Sequence, residues 1–408
     1  MARFVAPEQL ASSLGELPDE PRVVTSGSFA TPLPLLALLD AVLPTWRLFA
    51  VNALPGLPAR EGITYESAFV GAGMRGYPRL EYYPCRLSLV PSLFEGPLPP
   101  DIVAVQVSRP IDGRVSLGIE VQILPGAIAA ARARGALVIA QLNPQMPFVH
   151  GDGVLDLDWI DLVVEIEAPL PASSSGGVDD ESAAIGERVA AMVPQGATIQ
   201  AGIGAVPDAV LHGLRNHRGL RIWTELLTDG FHGLYEAGAL DDRFPVTGSF
   251  AFGSREFYAW MDDNPQVQLL ACDYTNDPAI ISSQPQMVSI NTALQVDLFG
   301  SANASRIRNQ IFSGFGGQTD FFIGALHSPG GMAIMALKSW HPKAGVSTIV
   351  GKLDQPTTST QFSYAVTENG SARIFGASQR QQALGLIEAA DPRARDDLRE
   401  AARSYGLI

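Results

Sequence analysis

Short runs of apolar and β-branched residues recur along this chain without the polar alternation of a half-exposed strand, and this pattern restricts the fold more than any other feature. Residues 101–107, 136–142 and 162–166 in the first half, and 267–272 and 332–337 in the second, are segments of this kind. Strands that are apolar throughout belong to sheets covered on both faces, as parallel sheets are when helices cross over them. Residues 127–134 carry a helical pattern between two such runs, and right-handed βαβ crossovers are the natural connection. The first half therefore reads as an open α/β domain.

A break in composition follows at residues 171–180, where Ser, Gly and Asp replace core-forming side chains. Such a stretch reads as a surface linker. Beyond it, residues 182–193 form an amphipathic helix with Ile185, Val189, Met192 and Val193 on one side, stopped by Pro194, Gln195 and Gly196. With 408 residues, 46% hydrophobic and 17% charged, the chain is long enough for two cores. The expected organisation is a first α/β domain over 1–172, a linker over 173–181 and a second α/β domain over 182–408. The last segment, 379–403, reads as a solvated helical tail rich in Arg, Asp and Glu.

Charge and cysteine content narrow the function classes. A formal net charge of −14, with 28 basic against 42 acidic side chains, argues against nucleic-acid partners and a membrane-surface role. Only Cys85 and Cys272 are present, far apart, which argues for a reducing compartment and against a disulfide scaffold. Residues 1–7 lack a signal-peptide core and no apolar stretch reaches membrane-spanning length, so a cytoplasmic location is expected. The six histidines, His150, His212, His217, His232, His327 and His341, show no metal-ligand spacing, and Gly-x-Ser-x-Gly is absent. No metal is expected.

The most specific local signal is Ala201-Gly202-Ile203-Gly204-Ala205-Val206-Pro207 after the apolar run 197–200, with Glu225 some twenty residues on. A glycine turn between strand and helix aims backbone N–H groups and a helix N-terminus at an anionic ligand. A dinucleotide fingerprint has this form, but Pro207 stands where its third glycine would be. Pro207 instead suits the first turn of the following helix, expected over 208–215. A nicotinamide-cofactor site and a bare tight turn both remain open on these residues alone.

Downstream motifs add a resemblance. Ile222-Trp223-Thr224-Glu225-Leu226-Leu227-Thr228-Asp229-Gly230 looks like the active-site segment of the acetyl-CoA hydrolase/transferase family, the glutamate-dependent CoA-transferases of 4-hydroxybutyrate, butyrate and succinyl-CoA:acetate type. Segments similar to that family follow in its order: 202–208, Tyr274-Thr275-Asn276-Asp277-Pro278, 289–298, Gly314-Phe315-Gly316-Gly317-Gln318-Thr319-Asp320-Phe321 and Val366-Thr367-Glu368-Asn369-Gly370. In the first half, 83–88 and 138–147 also fit. The set spans nearly the whole chain.

The resemblance implies two related α/β domains of the NagB/RpiA-like CoA-transferase type, with the active site in the interdomain cleft. It implies an acyl-CoA:carboxylate CoA-transferase with Glu225 as covalent nucleophile. It also implies Gly317 and Val70 as oxyanion donors, and coenzyme A contacts at Gly202, Ile203, Gly204, Ala205, Val206, Gly300, Gly317 and Lys343. Asn276 is expected to hydrogen-bond the Glu225 carboxylate or a thioester carbonyl, although Asn-Asp-Pro is also common turn chemistry. Glu368 is a second carboxylate that orients water, raises the pKa of Glu225 or serves structure alone. The aromatic segment 69–94 is the candidate acyl pocket. Substrates are acyl-CoA and small carboxylic acids, with no resident cofactor, and a homodimer is expected. Two segments depart from the family, 337–343 with Lys338 and Lys343, and Phe299-Gly300-Ser301. Acyl-CoA hydrolysis through the same glutamate is the nearest alternative, since exclusion of water is a property of packing. A non-catalytic coenzyme A- or nucleotide-binding protein is a more distant one.

Overall fold

The computed structural model describes residues 2–173 and 177–408. Two compact units account for the chain: Met1–Ser174 with Pro245–Thr275, and Ser175–Phe244 with Asn276–Ile408. This division differs from a second domain running unbroken over 182–408, because residues 245–275 cluster with the first unit. The strand Val267–Leu269, assigned from its apolar run to the second domain, pairs there with Val246–Gly248 and His150–Gly151. Residues 174–176 of the expected linker lie outside the described residues.

The first unit is built on an eight-stranded sheet, every pair of which is parallel. The expected apolar runs form its centre as Ile102–Val107, Leu137–Leu142 and Leu162–Glu165. From Arg22–Thr25 the chain adds strands to one side, then returns to the other with Ile102–Val107. The loop leaving Arg22–Thr25 at this reversal is held by a buried carboxyl. Glu120 accepts from the N–H groups of Ser28 and Ala30 at 3.2 and 3.0 Å, and burial raises its pKa to about 8.

A six-stranded sheet organises the second unit. Its order is Arg221–Ile222, Thr198–Ala201, Met287–Asn291, Met332–Ala336, Tyr364–Thr367 and Gly370–Arg373, parallel except for the last pair. The reversal of strand order falls between Thr198–Ala201 and Met287–Asn291, because Arg221–Ile222 is added on one side before Met287–Asn291 returns on the other. In open α/β sheets this is where ligands bind, outside the carboxyl ends of the strands. The two strands are cross-linked by buried side chains. Asn291 Nδ2 donates to Gln200 Oε1 at 2.9 Å and to Ser289 Oγ at 3.0 Å, and Ser289 Oγ also donates to Gln200.

Helices Gln318–His327 and Gln379–Ala389 pack on this sheet and close an apolar core around Met287, Phe321, Phe322, Met335, Phe362, Leu386 and Ile387. The C-terminal segment is therefore not merely a solvated tail. It is also two helices, Gln379–Ala389 and Arg395–Ser404, separated at Asp391 and Pro392 because proline cannot extend the first. The helix expected over 182–193 spans Asp180–Ala190, capped by the Asp179 side chain on Ser182 N. It packs against Ala205–Gly213 through Gly186, where an added Cβ would lie 2.7 Å from the carbonyl carbon and oxygen of Ala209. Gly186→Val is expected to force the two helices apart and to destabilise the protein by about 1–3 kcal/mol. Urea unfolding measures this, and an unchanged midpoint at equal slope would show that the contact tolerates bulk.

Candidate active site

The carboxyl ends of the parallel strands in the second unit carry the glycine turn and the Glu225 turn. Thr198–Ala201 runs into the glycine turn, and Gly204 there adopts φ +119° with open space around it. Only glycine takes that conformation without strain, and it lets the helix begin at Ala205, three residues earlier than expected, with Pro207 in its first turn. Ile203 at the tip is 55% exposed. Adjacent to this strand, Arg221–Ile222 leads through Trp223 and Thr224 to Glu225. The Thr224 hydroxyl donates to the Ala201 carbonyl at 3.4 Å, so the glutamate turn is tied to the glycine turn.

Glu225 is partly buried, and three groups converge on its carboxyl. Asn276 Nδ2, from a fully buried side chain, donates to Oε2 at 2.8 Å, and the backbone N–H of Gly317 also donates. The third is the buried Asp320, in the first turn of helix Gln318–His327, whose negative charge acts on the same carboxyl. Burial raises the Glu225 pKa, the Asn276 bond opposes it, the Asp320 charge adds to it and the Gly317 amide opposes it, with the result near 7. Gly317 is glycine for a reason the turn alone does not explain. Its φ is an ordinary −94°, and the left-handed residue is Gly316 at +56°. A Cβ on Gly317 would overlap Glu225 Oε2 and Asn276 Nδ2.

A cavity of about 330 Å³ lies at the carboxyl ends of Thr198–Ala201, Met287–Asn291 and Met332–Ala336. Ile203, Gly204, Ala205 and Val206 form part of its wall, with Thr292–Leu294 and, from segment 337–342, every residue except the buried Ser339. The carboxylate site and the cavity thus occupy neighbouring strand ends of one sheet.

Models of the two domains of a single family match this chain. The acetyl-CoA hydrolase/transferase N-terminal domain aligns with residues 59–171 and the C-terminal domain with residues 253–402. The chain belongs to the acetyl-CoA hydrolase/transferase family. It is 37% identical over 349 residues to a 4-hydroxybutyrate coenzyme A transferase of Clostridium kluyveri, covering 82% of this chain and 80% of the relative. A succinyl-CoA:acetate/propanoyl-CoA:succinate CoA transferase of Fasciola hepatica is 32% identical over 96% of this chain and 86% of its own. Among solved structures, RipA from Yersinia pestis superposes with a TM-score of 0.90 at 30% identity, over 100% of this chain and 98% of its own. A 4-hydroxybutyrate CoA-transferase from Porphyromonas gingivalis gives 0.82 at 30% identity, over 99% and 98%.

Of the residues singled out in the sequence, Glu225, Asn276 and Gly317 meet at one point, and Gly202 to Val206 lie on the adjoining turn. Others are placed differently. Gly300 occupies a turn with φ +77°, against Ile374 and Gln382, and is not part of the cavity wall. Lys343 is exposed in the hairpin turn between Trp340–His341 and Val346–Ser347. Lys338 does line the cavity, but its Nζ lies 2.8 Å from Asp179 Oδ2 and 3.2 Å from Glu181 Oε2. Glu368 is committed to Ser339, accepting from its N–H at 3.0 Å and from its hydroxyl. The carboxylate that acts on Glu225 is Asp320 instead. Val70 is fully buried in the first unit, just beyond strand Ile63–Ser67. Sequence reasoning missed Asp320, although a lone acid between a glycine turn and Phe321-Phe322 is a signal that it faces inward at a helix start. Among the described residues no group of three or more His, Cys, Asp or Glu is placed to hold a metal ion, and no helix is long and apolar enough to cross a membrane.

A carboxyl whose folded pKa lies near 7 against about 4.5 unfolded binds more protons folded than unfolded between those values. Stability then falls as pH rises through that window. Glu225→Gln, which keeps the shape without the charge, is expected to raise the melting temperature relative to wild type at pH 8 and to have little effect at pH 5. Equal shifts at both pH values would rule out a raised Glu225 pKa.

Proposed function

We propose that this protein is an acyl-CoA:carboxylate CoA-transferase working through Glu225. The observation that carries the reading is the Glu225 carboxylate held by Asn276 Nδ2 and the Gly317 N–H beside the glycine turn, in a chain of this family. Relatives named as CoA-transferases at 32–37% identity over most of the chain support the reaction class.

The chemistry balances without ATP or redox change. The ionised Glu225 carboxylate attacks the acyl-CoA carbonyl, the carbon–sulfur bond breaks, and coenzyme A leaves as thiolate from an acyl-glutamyl anhydride. The thiolate attacks the Glu225 carbonyl of that anhydride, releasing the donor acid as carboxylate and leaving a glutamyl-CoA thioester. An acceptor carboxylate attacks this thioester and displaces the thiolate. The thiolate then attacks the acceptor's acyl carbonyl, giving the new acyl-CoA and restoring Glu225. Asn276 and the Gly317 amide are fixed donors for the oxygens that gain charge in these steps. Coenzyme A is a substrate in this scheme, and no resident cofactor is required. Fungal acetyl-CoA hydrolases such as that of Neurospora crassa, 32% identical over 47% of this chain, keep hydrolysis of the glutamyl intermediate as the second reading.

Intact-protein mass spectrometry after mixing with short acyl-CoAs and no acceptor acid tests the proposal. A coenzyme A adduct that maps to Glu225 and is missing in Glu225→Ala is expected, and Asn276→Ala should slow its formation by about 10²–10³. Adduct formation should also rise with pH through about 7, as Glu225 ionises. Release of coenzyme A with no adduct at any time would instead support hydrolysis.

A further inference from the structure

The cavity at the ends of the three parallel strands has a largely apolar wall. Ile203, Val206, Leu294, Leu337, Trp340 and Pro342 are among its apolar residues, three of them on segment 337–343. Trp340 is held in place from several sides. The Arg393 guanidinium lies over its ring, 3.7 Å from the centroid. Arg393 is itself fixed by two 2.8 Å bonds to Asp391, a residue only 8% exposed. The hairpin that carries the ring is locked at its base, where Thr348 N donates to Ser339 O at 3.0 Å and Ser339 N donates to Glu368. An indole held this rigidly loses little entropy when a flat ring stacks on it.

Charge distinguishes which part of a coenzyme A molecule such a wall suits. Lys338 is the only Lys or Arg among the residues lining the cavity, and two carboxylates, Asp179 and Glu181, already compensate it. The wall therefore offers a phosphate no uncompensated Lys or Arg, and its donors for an anion are the N–H groups of the glycine turn at the start of helix Ala205–Gly213. A fixed aromatic face with an exposed Ile203 close by suits a neutral planar ring better than a flexible chain. We infer that this cavity receives the adenine ring of coenzyme A, with Trp340 as its stacking surface and Arg393 backing the indole. The inference rests on the coenzyme A reading given above and extends it to a subsite and a specificity residue of this chain.

Titration calorimetry on the full chain with two fragments, adenosine 3′,5′-bisphosphate and pantetheine, tests it. Trp340→Ala is expected to weaken the bisphosphate by about fivefold or more, the scale of one base stacked on an aromatic side chain, and to leave pantetheine unchanged. Trp340→Phe, which keeps a ring on the hairpin, should stay within about threefold of wild type and separates lost stacking from a misfolded hairpin. Equal bisphosphate affinity in wild type and Trp340→Ala overturns the inference, as does selective loss of pantetheine. A wild-type protein that forms the Glu225 adduct but binds no bisphosphate overturns the subsite and leaves the transferase reading standing. Absence of both adduct and fragment binding removes the two together.

Discussion

A carboxylate drawn partly out of water needs donors to stay charged, and the second unit is arranged around supplying them to Glu225. Asn276 provides one from a side chain with no exposure of its own, and the Gly317 amide provides another from the start of a helix. Both work only because position 317 has no side chain, since a methyl group there would occupy the space of the carboxylate oxygen. Asp320, one turn along the same helix, pushes the other way. The balance leaves its pKa raised to about 7, the range that the proposed nucleophile needs in order to be ionised yet weakly solvated.

The sheet explains why these pieces stand together. Five parallel strands end on the same side, so each loop that follows them is delivered to one rim without any long connection. The glycine turn, the glutamate turn and segments 292–294 and 337–342 come from four separate parts of the chain, yet each leaves a strand whose hydrogen-bonded position is set by its neighbour. A site built this way can change one wall without disturbing another. Segment 337–342 is an instance, for it lines the cavity without touching the Asn276 and Gly317 donors of Glu225.

Much of this was legible in the sequence because it is local. Four of the five apolar runs lie within a residue of their observed strands, while 267–272 overshoots a strand that stops at Leu269, and the glycine turn is where a strand meets a helix. What escaped depended on long-range contacts. Nothing in the periodicity of 245–275 says that Glu120 bridges to Phe250, that Gln122 pairs with Ala271, or that Asp152 accepts from Ala271 N at 2.9 Å. Those contacts carry the segment into the first unit. The pairing of Lys338 with Asp179 and Glu181 is equally hidden, since they lie more than 150 residues away in sequence. For the glycine pair 316–317, composition shows two permissive residues but not that one serves the turn and the other makes room for a carboxylate.

The buried trio of Gln200, Ser289 and Asn291 has a consequence for how this sheet assembles. Strands that are apolar on both faces present nearly the same surface whichever residue is placed opposite which, so burial alone discriminates poorly among alignments. Three polar side chains that satisfy one another in a single alignment act as a key. Sliding Met287–Asn291 by two residues against Thr198–Ala201 would keep the apolar contacts and strand all three groups in a dry interior. The same alignment sets how far the chain leaving Asn291 stands from the chain leaving Ala201, so the spacing across the rim is decided beneath it, by side chains buried within the sheet.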